Sequence, residues 1–540
     1  MNELQAITRP RRDATVFAPY ALAAVPLLFL AAMLVAPALR LLWEGGASFK
    51  LSSITALWQD HYLRWRWVWS LLQAAATCAL VLLLGLPVAW VLARFDFAGR
   101  NLVLRLLMLP FVMPTLVAAL GVLSLWGPHG VASLWWGVDA QDTPWLLLYG
   151  NVFFNLCLLV RAGVDGLRQV SASQLAAAST LGASPWRIFW RLEWPVAKPW
   201  FGSALCLVFL YCFSGFGLAL VLGGQRYATL EVEIYTLVAY ELKLAEASVL
   251  AVFTMAITAA AALAYTVRAQ HLAAPAQADA VPLQRVRTAA QRSMLIAALL
   301  VLLVCCAAPV LAIVVRAAAG GPSAWAVLAE TDTLHALWNT VRFSAMAVAL
   351  ACLLGLAHAL AAQRSSLLRS AIFLPFIVSP VAVAFGLLLL YPAQSASLPL
   401  LVAAYALLAY PFVANAVSTA LASQPVHLVQ AARTLGASPW RSFWRVTLPL
   451  LRPALRRGLA FAAASALGEF AVSLFLSRPE WTTLTTLIYQ RLGKPGAANL
   501  DAAWVLACLL MALALLAFVL LEHSSDKNPS SPLSAKARRA

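Results

Sequence analysis

The chain has 540 residues, 63% of them hydrophobic and only 11% charged, with a mean hydropathy of +0.83. A soluble domain of this size is far less apolar, so composition excludes a soluble enzyme or nucleic-acid-binding protein and places the chain in a bilayer. The net charge of +17 does not change this, because the basic residues sit mostly in short connections between apolar runs and at the two ends.

Those runs are about 20 residues long, the length an α-helix needs to cross ~30 Å of hydrocarbon. They predict an all-α, polytopic membrane protein of about twelve transmembrane helices. The spans fall near residues 17–43, 69–93, 104–126, 144–160, 200–222, 246–267, 293–315, 340–362, 371–391, 398–417, 457–477 and 501–521. All eight cysteines (Cys78, Cys157, Cys206, Cys212, Cys305, Cys306, Cys352 and Cys508) lie within these runs without metal-ligand spacing, and read as small core hydrophobes. Arg9, Arg11 and Arg12, then Arg94 to Arg105, Arg161 to Lys198, Arg268 to Arg292 and Lys527 to Arg539 all fall on one side if the spans alternate. By the positive-inside rule both termini are then cytoplasmic; Arg64 and Arg66 are the exception.

The polar stretch His271 to Gln284 lies between spans six and seven. It suggests a first half over 1–270, a cytoplasmic linker over 271–292, a second half over 293–523, and a Ser/Lys/Pro-rich, disordered tail over 524–540.

The halves are copies. Ala176 to Pro195 reads AAASTLGASPWRIFWRLEWP and Gln430 to Pro449 reads QAARTLGASPWRSFWRVTLP, with 14 of 20 positions identical at an offset of 254. The offset continues through Phe216/Phe470, Thr229/Thr483, Leu230/Leu484, Ile234/Ile488 and Tyr235/Tyr489. A weaker echo pairs Pro110, Phe111 and Gly121 with Pro375, Phe376 and Gly386. Parallel copies with an even number of spans are related by a pseudo-two-fold axis along the membrane normal, where a pathway would lie.

Each repeated segment spells two short helices joined by a turn. Gly182 suits a left-handed C-cap, Ser184 an N-cap and Pro185 a first helical position; Gly436, Ser438 and Pro439 repeat the pattern. Trp186, Phe189 and Trp190 then share one face beside a row of Arg187 and Arg191, matched by Trp440, Phe443, Trp444, Arg441 and Arg445. A helix of this kind can lie in the headgroup layer. The most faithfully repeated stretch, however, is the turn itself, Thr180 to Arg187 and Thr434 to Arg441, and two identical bumps suit a two-fold-symmetric partner.

These segments resemble the cytoplasmic coupling loop, or EAA motif, of ATP-binding cassette (ABC) importer permeases. The resemblance implies the type I importer permease fold in the bacterial inner membrane, with coupling loops near 161–199 and 418–456. It also implies a separate ABC ATPase dimer docked at Ala176, Leu181, Gly182, Ala183, Ser184, Pro185, Trp186 and Arg187. In the second half the docking positions are Gln430, Leu435, Gly436, Ala437, Ser438, Pro439, Trp440 and Arg441. Ala176 and Gln430 stand where the family has its glutamate, which is absent from both copies. The chain has no Gly-x-x-x-x-Gly-Lys-Ser/Thr loop, so this reading makes it a transport subunit and not an enzyme. No cofactor is expected on the chain, with ATP and Mg in the partner.

The resemblance extends to fused permeases for thiamine, through Gln59 to Gln73, Pro114 to Gly127, Asn151 to Leu156 and Phe213 to Tyr235, and more distantly to those for ferric iron. An external solute-binding protein is the implied source of cargo, with Gly223 to Leu244 and Arg478 to Leu500 as its candidate docking loops. Glu469, whose twin is Gly215, is the clearest intramembrane acid and a candidate for the translocation path; it either attracts a cationic solute or bonds a neighbouring helix. Gln73, Asn151, Asn155 and Asn339 read as helix-to-helix hydrogen-bonding groups. An ion-coupled secondary transporter is the alternative of another class, and would carry acids or broken helices in both halves.

Overall fold

The computed structural model describes residues 18–47, 59–270, 281–363, 365–395, 397–476 and 478–523. The tail over 524–540, the N-terminal arginines and residues 271–280 of the linker lie outside the described residues. Ten helices among the described residues are long and apolar enough to cross a membrane. They include α1 (Leu22–Gly46), α2 (His61–Arg94), α4 (Pro144–Leu167), α5 (Pro185–Phe213) and α6 (Leu244–Val267) in the first half. The third span of that half contains α3 (Thr115–Trp126). The second half supplies α7 (Ala289–Ala319), α8 (Thr331–Ala362), α10 (Leu398–Ala422) and α12 (Ala497–Leu521).

Two of the twelve expected spans are less regular. Between α8 and α10, Ser366–Phe376 and α9 (Pro380–Leu390) form a pair bent by 92°. The other is α11 (Leu448–Leu467), where Arg452, Arg456 and Arg457 occupy the first half of the helix, so it falls short of a fully apolar span although it matches α5 in position.

Backbone breaks occur at equivalent places in both halves. α5 ends at Phe213 and the chain resumes helix at Gly217–Leu222; α11 ends at Leu467 and resumes at Ala471–Leu476. The expected continuous spans 200–222 and 457–477 are therefore interrupted. The sequences Ser214-Gly215-Phe216 and Gly468-Glu469-Phe470 account for this, since glycine weakens helix and frees backbone groups that must be satisfied inside the protein.

The stretches Gly223 to Leu244 and Arg478 to Leu500 are also more structured than their polarity implies. Leu230–Ala239 and Leu484–Leu492 are buried helices, each entered by the same device: Ser70 Oγ accepts the Leu230 N–H at 2.9 Å, and Thr340 Oγ1 accepts the Leu484 N–H at 2.8 Å. Arg66, the charge that fitted the topology least well, is 3% exposed and enclosed by this region. Its guanidinium donates to Gln225 O (2.6 Å), Arg226 O (3.2 Å) and Ala228 O (3.3 Å) and lies 3.4 Å from Glu233.

The halves exchange their first helices. α1 packs along α8 and α9, and α7 packs along α3 and α4. At each crossing a glycine allows the close approach: a Cβ on Gly121 would sit 2.8 Å from Pro309 O, and one on Gly386 would sit 2.9 Å from Pro37 Cβ. Beside these prolines both helices widen into a π-turn, Ala31–Val35 and Leu303–Ala307, which releases carbonyls. Tyr391 Oη donates to Ala32 O (3.1 Å) and Tyr149 Oη to Val304 O (2.6 Å), so each loosened turn is held by a tyrosine of the other half. A two-residue parallel ladder, Phe95 with Gln284 and Asp96 with Arg285, ties the end of α2 to the chain entering α7.

Candidate functional site

Where the halves meet, a cavity of about 240 Å³ opens among the membrane-spanning helices. Its wall includes Pro114, Ser214, Gly215, Val378, Gly468 and Glu469, residues from the chain breaks of both halves. Irregular backbone among such helices is tolerated only where protein or water covers it, and the cavity lining meets that condition. Phe154, Phe111, Phe461, Phe412 and Phe376 form a continuous run along the wall, with successive centroids between 5.8 and 6.3 Å apart. Phe111 and Phe376 are the twins of the weaker sequence echo.

At one end the axis is closed by aromatic rings. Phe216 stacks on Phe470 with centroids 5.8 Å apart, and each packs against its own half's tyrosine, Phe216 on Tyr235 (5.5 Å) and Phe470 on Tyr489 (5.3 Å).

Both sequence-selected path residues, Glu469 and Gly215, line the cavity. Glu469 Oε1 accepts the Val472 N–H at 3.0 Å, which caps the helix after the break. Its backbone carbonyl accepts from Thr485 Oγ1 (3.1 Å), so the residue is fixed at main chain and side chain. Gln73 and Asn151 bond helix to helix, Gln73 Nε2 to Cys212 O (2.8 Å) and Asn151 Nδ2 to Gln73 Oε1 (2.7 Å). Asn339 donates to Glu480 O and Thr482 O, both at 3.0 Å. Asn155 also reaches the cavity.

Glu231 and Glu193 escaped the sequence reading. Glu231 is wholly buried and accepts from Ser379 Oγ of the other half at 2.7 Å; at its twin position Thr485 bonds within its own half. Glu193 is buried between Arg94 (2.6 Å) and Trp90 Nε1 (2.8 Å). The sequence signal for Glu231 was the alternation Glu-Val-Glu-Ile, but it lay in a stretch read as a loop.

The repeated turns have nearly identical geometry. After Ala172–Thr180, Ala183 N–H donates to Ala178 O (3.0 Å) and Gly182 N–H to Ser179 O (3.1 Å), with Gly182 at φ +73°. After Val426–Thr434, Ala437 N–H donates to Ala432 O and Gly436 N–H to Arg433 O, both at 3.0 Å, with Gly436 at φ +81°. This hydrogen-bond pair is the Schellman C-cap, which a left-handed glycine permits. Ser184 Oγ and Ser438 Oγ then accept the N–H of Arg187 (3.4 Å) and Arg441 (3.3 Å), so proline occupies the first helical position in both.

The turns project apolar groups away from the protein. Leu181 and Leu435 are 86% and 88% exposed, Trp186 and Trp440 72% and 70%, and Ala176, Gln430, Pro185, Pro439, Arg187 and Arg441 are exposed as well. Ala183 and Ala437 are half-buried beneath them. Trp186 meets Trp190, and Trp440 meets Trp444, at 5.5 Å in both halves.

Two parallel halves with exchanged first helices, a cavity between them and one surface turn from each define a duplicated solute permease of the ABC importer kind. Residues 82–273 and 293–527 each match the family described as binding-protein-dependent transport system inner membrane component, and the chain belongs to that family. It is thus a multi-pass inner membrane protein, and permeases of this family work with an ABC ATPase and a solute-binding protein. Broken helices do occur in both halves, so they do not separate this class from ion-coupled transporters; the family match does.

The chain is 29% identical over 528 residues to the thiamine transport system permease protein ThiP of Salmonella typhimurium, covering 92% of this chain and 96% of that one. It is 28% identical over 498 residues to ThiP of Escherichia coli, covering 88% and 91%. The molybdenum transport system permease protein ModB of Azotobacter vinelandii is 31% identical over 169 residues, covering 30% of this chain and 75% of its own.

Proposed function

We propose that this chain is the transmembrane permease of an importer for thiamine, supplying both halves, with both surface turns docking a separate ABC ATPase dimer. One observation carries the docking reading. Thr180 to Arg187 and Thr434 to Arg441 are identical and adopt one geometry, and both leave leucine and tryptophan exposed, which an isolated protein surface does not require. The face bearing Gly182 and Gly436 is then cytoplasmic, as are the termini. Closure of the ATPase dimer moves the two turns together, and the halves rock about the cavity. The opposite face takes the binding protein through the exposed remnants of the expected loops, Tyr240–Lys243 and Gly493–Ala498. There Glu241 hydrogen-bonds Lys243 at 2.8 Å and holds its ammonium above the usual lysine range.

Thiamine is favoured as cargo by the relatives that span nearly the whole chain and by the cavity, whose aromatic wall and single carboxylate suit a flat organic cation. Ferric iron, a hard cation, would find one carboxylate there, and no group of three or more His, Cys, Asp or Glu that could hold a metal occurs among the described residues. The test is uptake into proteoliposomes holding the chain with its ATPase and binding protein. Labelled thiamine should enter while ferric iron does not; iron-only uptake would overturn the assignment.

A further inference from the structure

We propose that the cavity is itself a selective binding site for an aromatic organic cation bearing an N–H donor. Two acceptors that the halves do not share, Glu469 and Asn155, orient the ligand in it. Thiamine as probe rests on the function proposed above; the site rests on the following geometry.

Around the cavity, the two amides have their donors turned into the protein, and the hydroxyls of Thr115, Tyr211 and Ser465 also line it. Asn155 is 2% exposed; Nδ2 donates to Asn151 O (2.9 Å) and to Cys212 Sγ (3.3 Å), while its buried Oδ1 has no partner. Contact with a backbone carbonyl requires the amide nitrogen on that side, so the free atom is the acceptor. A buried acceptor left unpaired is costly, and a donor on a bound solute would remove that cost. The Ser214 hydroxyl is spent on Leu210 O (2.7 Å) and the Asn151 amide on Gln73. Among the described residues Glu469 brings the cavity's only charge, and no lysine, arginine or histidine lines it. Such a lining, with a carboxylate and no cation, disfavours anions.

The two acceptors come from different halves. At the repeat offset Glu469 faces Gly215, and Asn155 corresponds to Ala409, so neither acceptor has a symmetry mate. A two-fold-symmetric frame thus encloses an asymmetric site, in which a cation can settle in one direction only, its charge toward Glu469 and its N–H toward Asn155. Thiamine, with a thiazolium ring and an aminopyrimidine, has both features.

The test measures binding to the purified full chain in nanodiscs. The probes are thiamine, a neutral analogue with thiophene in place of thiazolium, and an analogue with a carbonyl in place of the amine. Wild type should prefer thiamine over each analogue by about tenfold or more. Glu469→Gln should abolish the preference over the neutral analogue and keep the other; Asn155→Leu should do the reverse. Ratios of affinities do not depend on the folded fraction, so a partly unfolded variant still reports. Unchanged selectivity in both variants overturns the site and leaves the thiamine reading standing. Failure to bind thiamine, with 4-amino-1-methylquinolinium bound in a way that depends on both Glu469 and Asn155, removes thiamine and keeps the site; binding of neither cation overturns the site.

Discussion

Phe216 lies on Phe470, ring on ring, and the two are the same residue of the two repeats. Twins can touch only where the pseudo-two-fold axis passes, so this stack marks the axis and closes one end of the cavity. Both rings are at most 4% exposed. Replacing either with alanine should cost about 3–5 kcal/mol of stability. Because they touch, the double variant should depart from additivity by about 0.5–1.5 kcal/mol, measured as a double-mutant cycle of unfolding in detergent. Strict additivity would mean that the rings do not support each other.

The helix exchange predicts a matched pair of effects. Gly121→Ala pushes a methyl toward Pro309, and Gly386→Ala pushes one toward Pro37, at nearly equal distances. Each should lose about 1–3 kcal/mol of stability by overpacking. A loss confined to one of the two, in thermal unfolding, would show that the crossings are not equivalent.

Arg66 and Glu233 form an ion pair with both side chains 4% exposed. Removing one partner leaves a buried charge, so Arg66→Ala and Glu233→Ala should each destabilise by about 3–5 kcal/mol. Arg66→Ala should be the worse, because Gln225, Arg226 and Ala228 also lose a donor to their carbonyls. Joint replacement by Met and Leu should cost much less than the two single changes together. Unfolding of the three variants checks the order.

Apolar runs and the repeat were legible in the sequence because both are local: twenty apolar residues announce a span, and a capped turn announces itself in Gly-Ala-Ser-Pro. The exchange of α1 and α7 was not, since the residues that specify it, Gly121 with Pro309 and Gly386 with Pro37, are far apart in the chain. Ser214 to Phe216 and Gly468 to Phe470 read as the interior of spans because hydropathy does not register where a backbone breaks. Leu230–Ala239 read as loop because Glu231 and Glu233 make it polar, and only tertiary structure provides the Ser379 and Arg66 that bury them. Glu469 was legible as the clearest intramembrane acid, and it lines the cavity; the free oxygen of Asn155 was not legible, because its significance depends on what its nitrogen already bonds.

For the proposed transmission of ATP hydrolysis to the two halves through the paired turns, Gly182 and Gly436 allow the sharpest probe. Nothing lies within 4 Å of a Cβ at either position, so valine there strains the left-handed turn without disturbing the interior. ATP-dependent thiamine uptake should therefore be compared between wild type and Gly182→Val/Gly436→Val in proteoliposomes containing the ATPase and binding protein. The double variant should insert and fold like wild type but lose at least about tenfold in uptake. Full ATP-coupled uptake by that variant, or uptake by wild type with no ATPase present, would contradict the docking role of these turns.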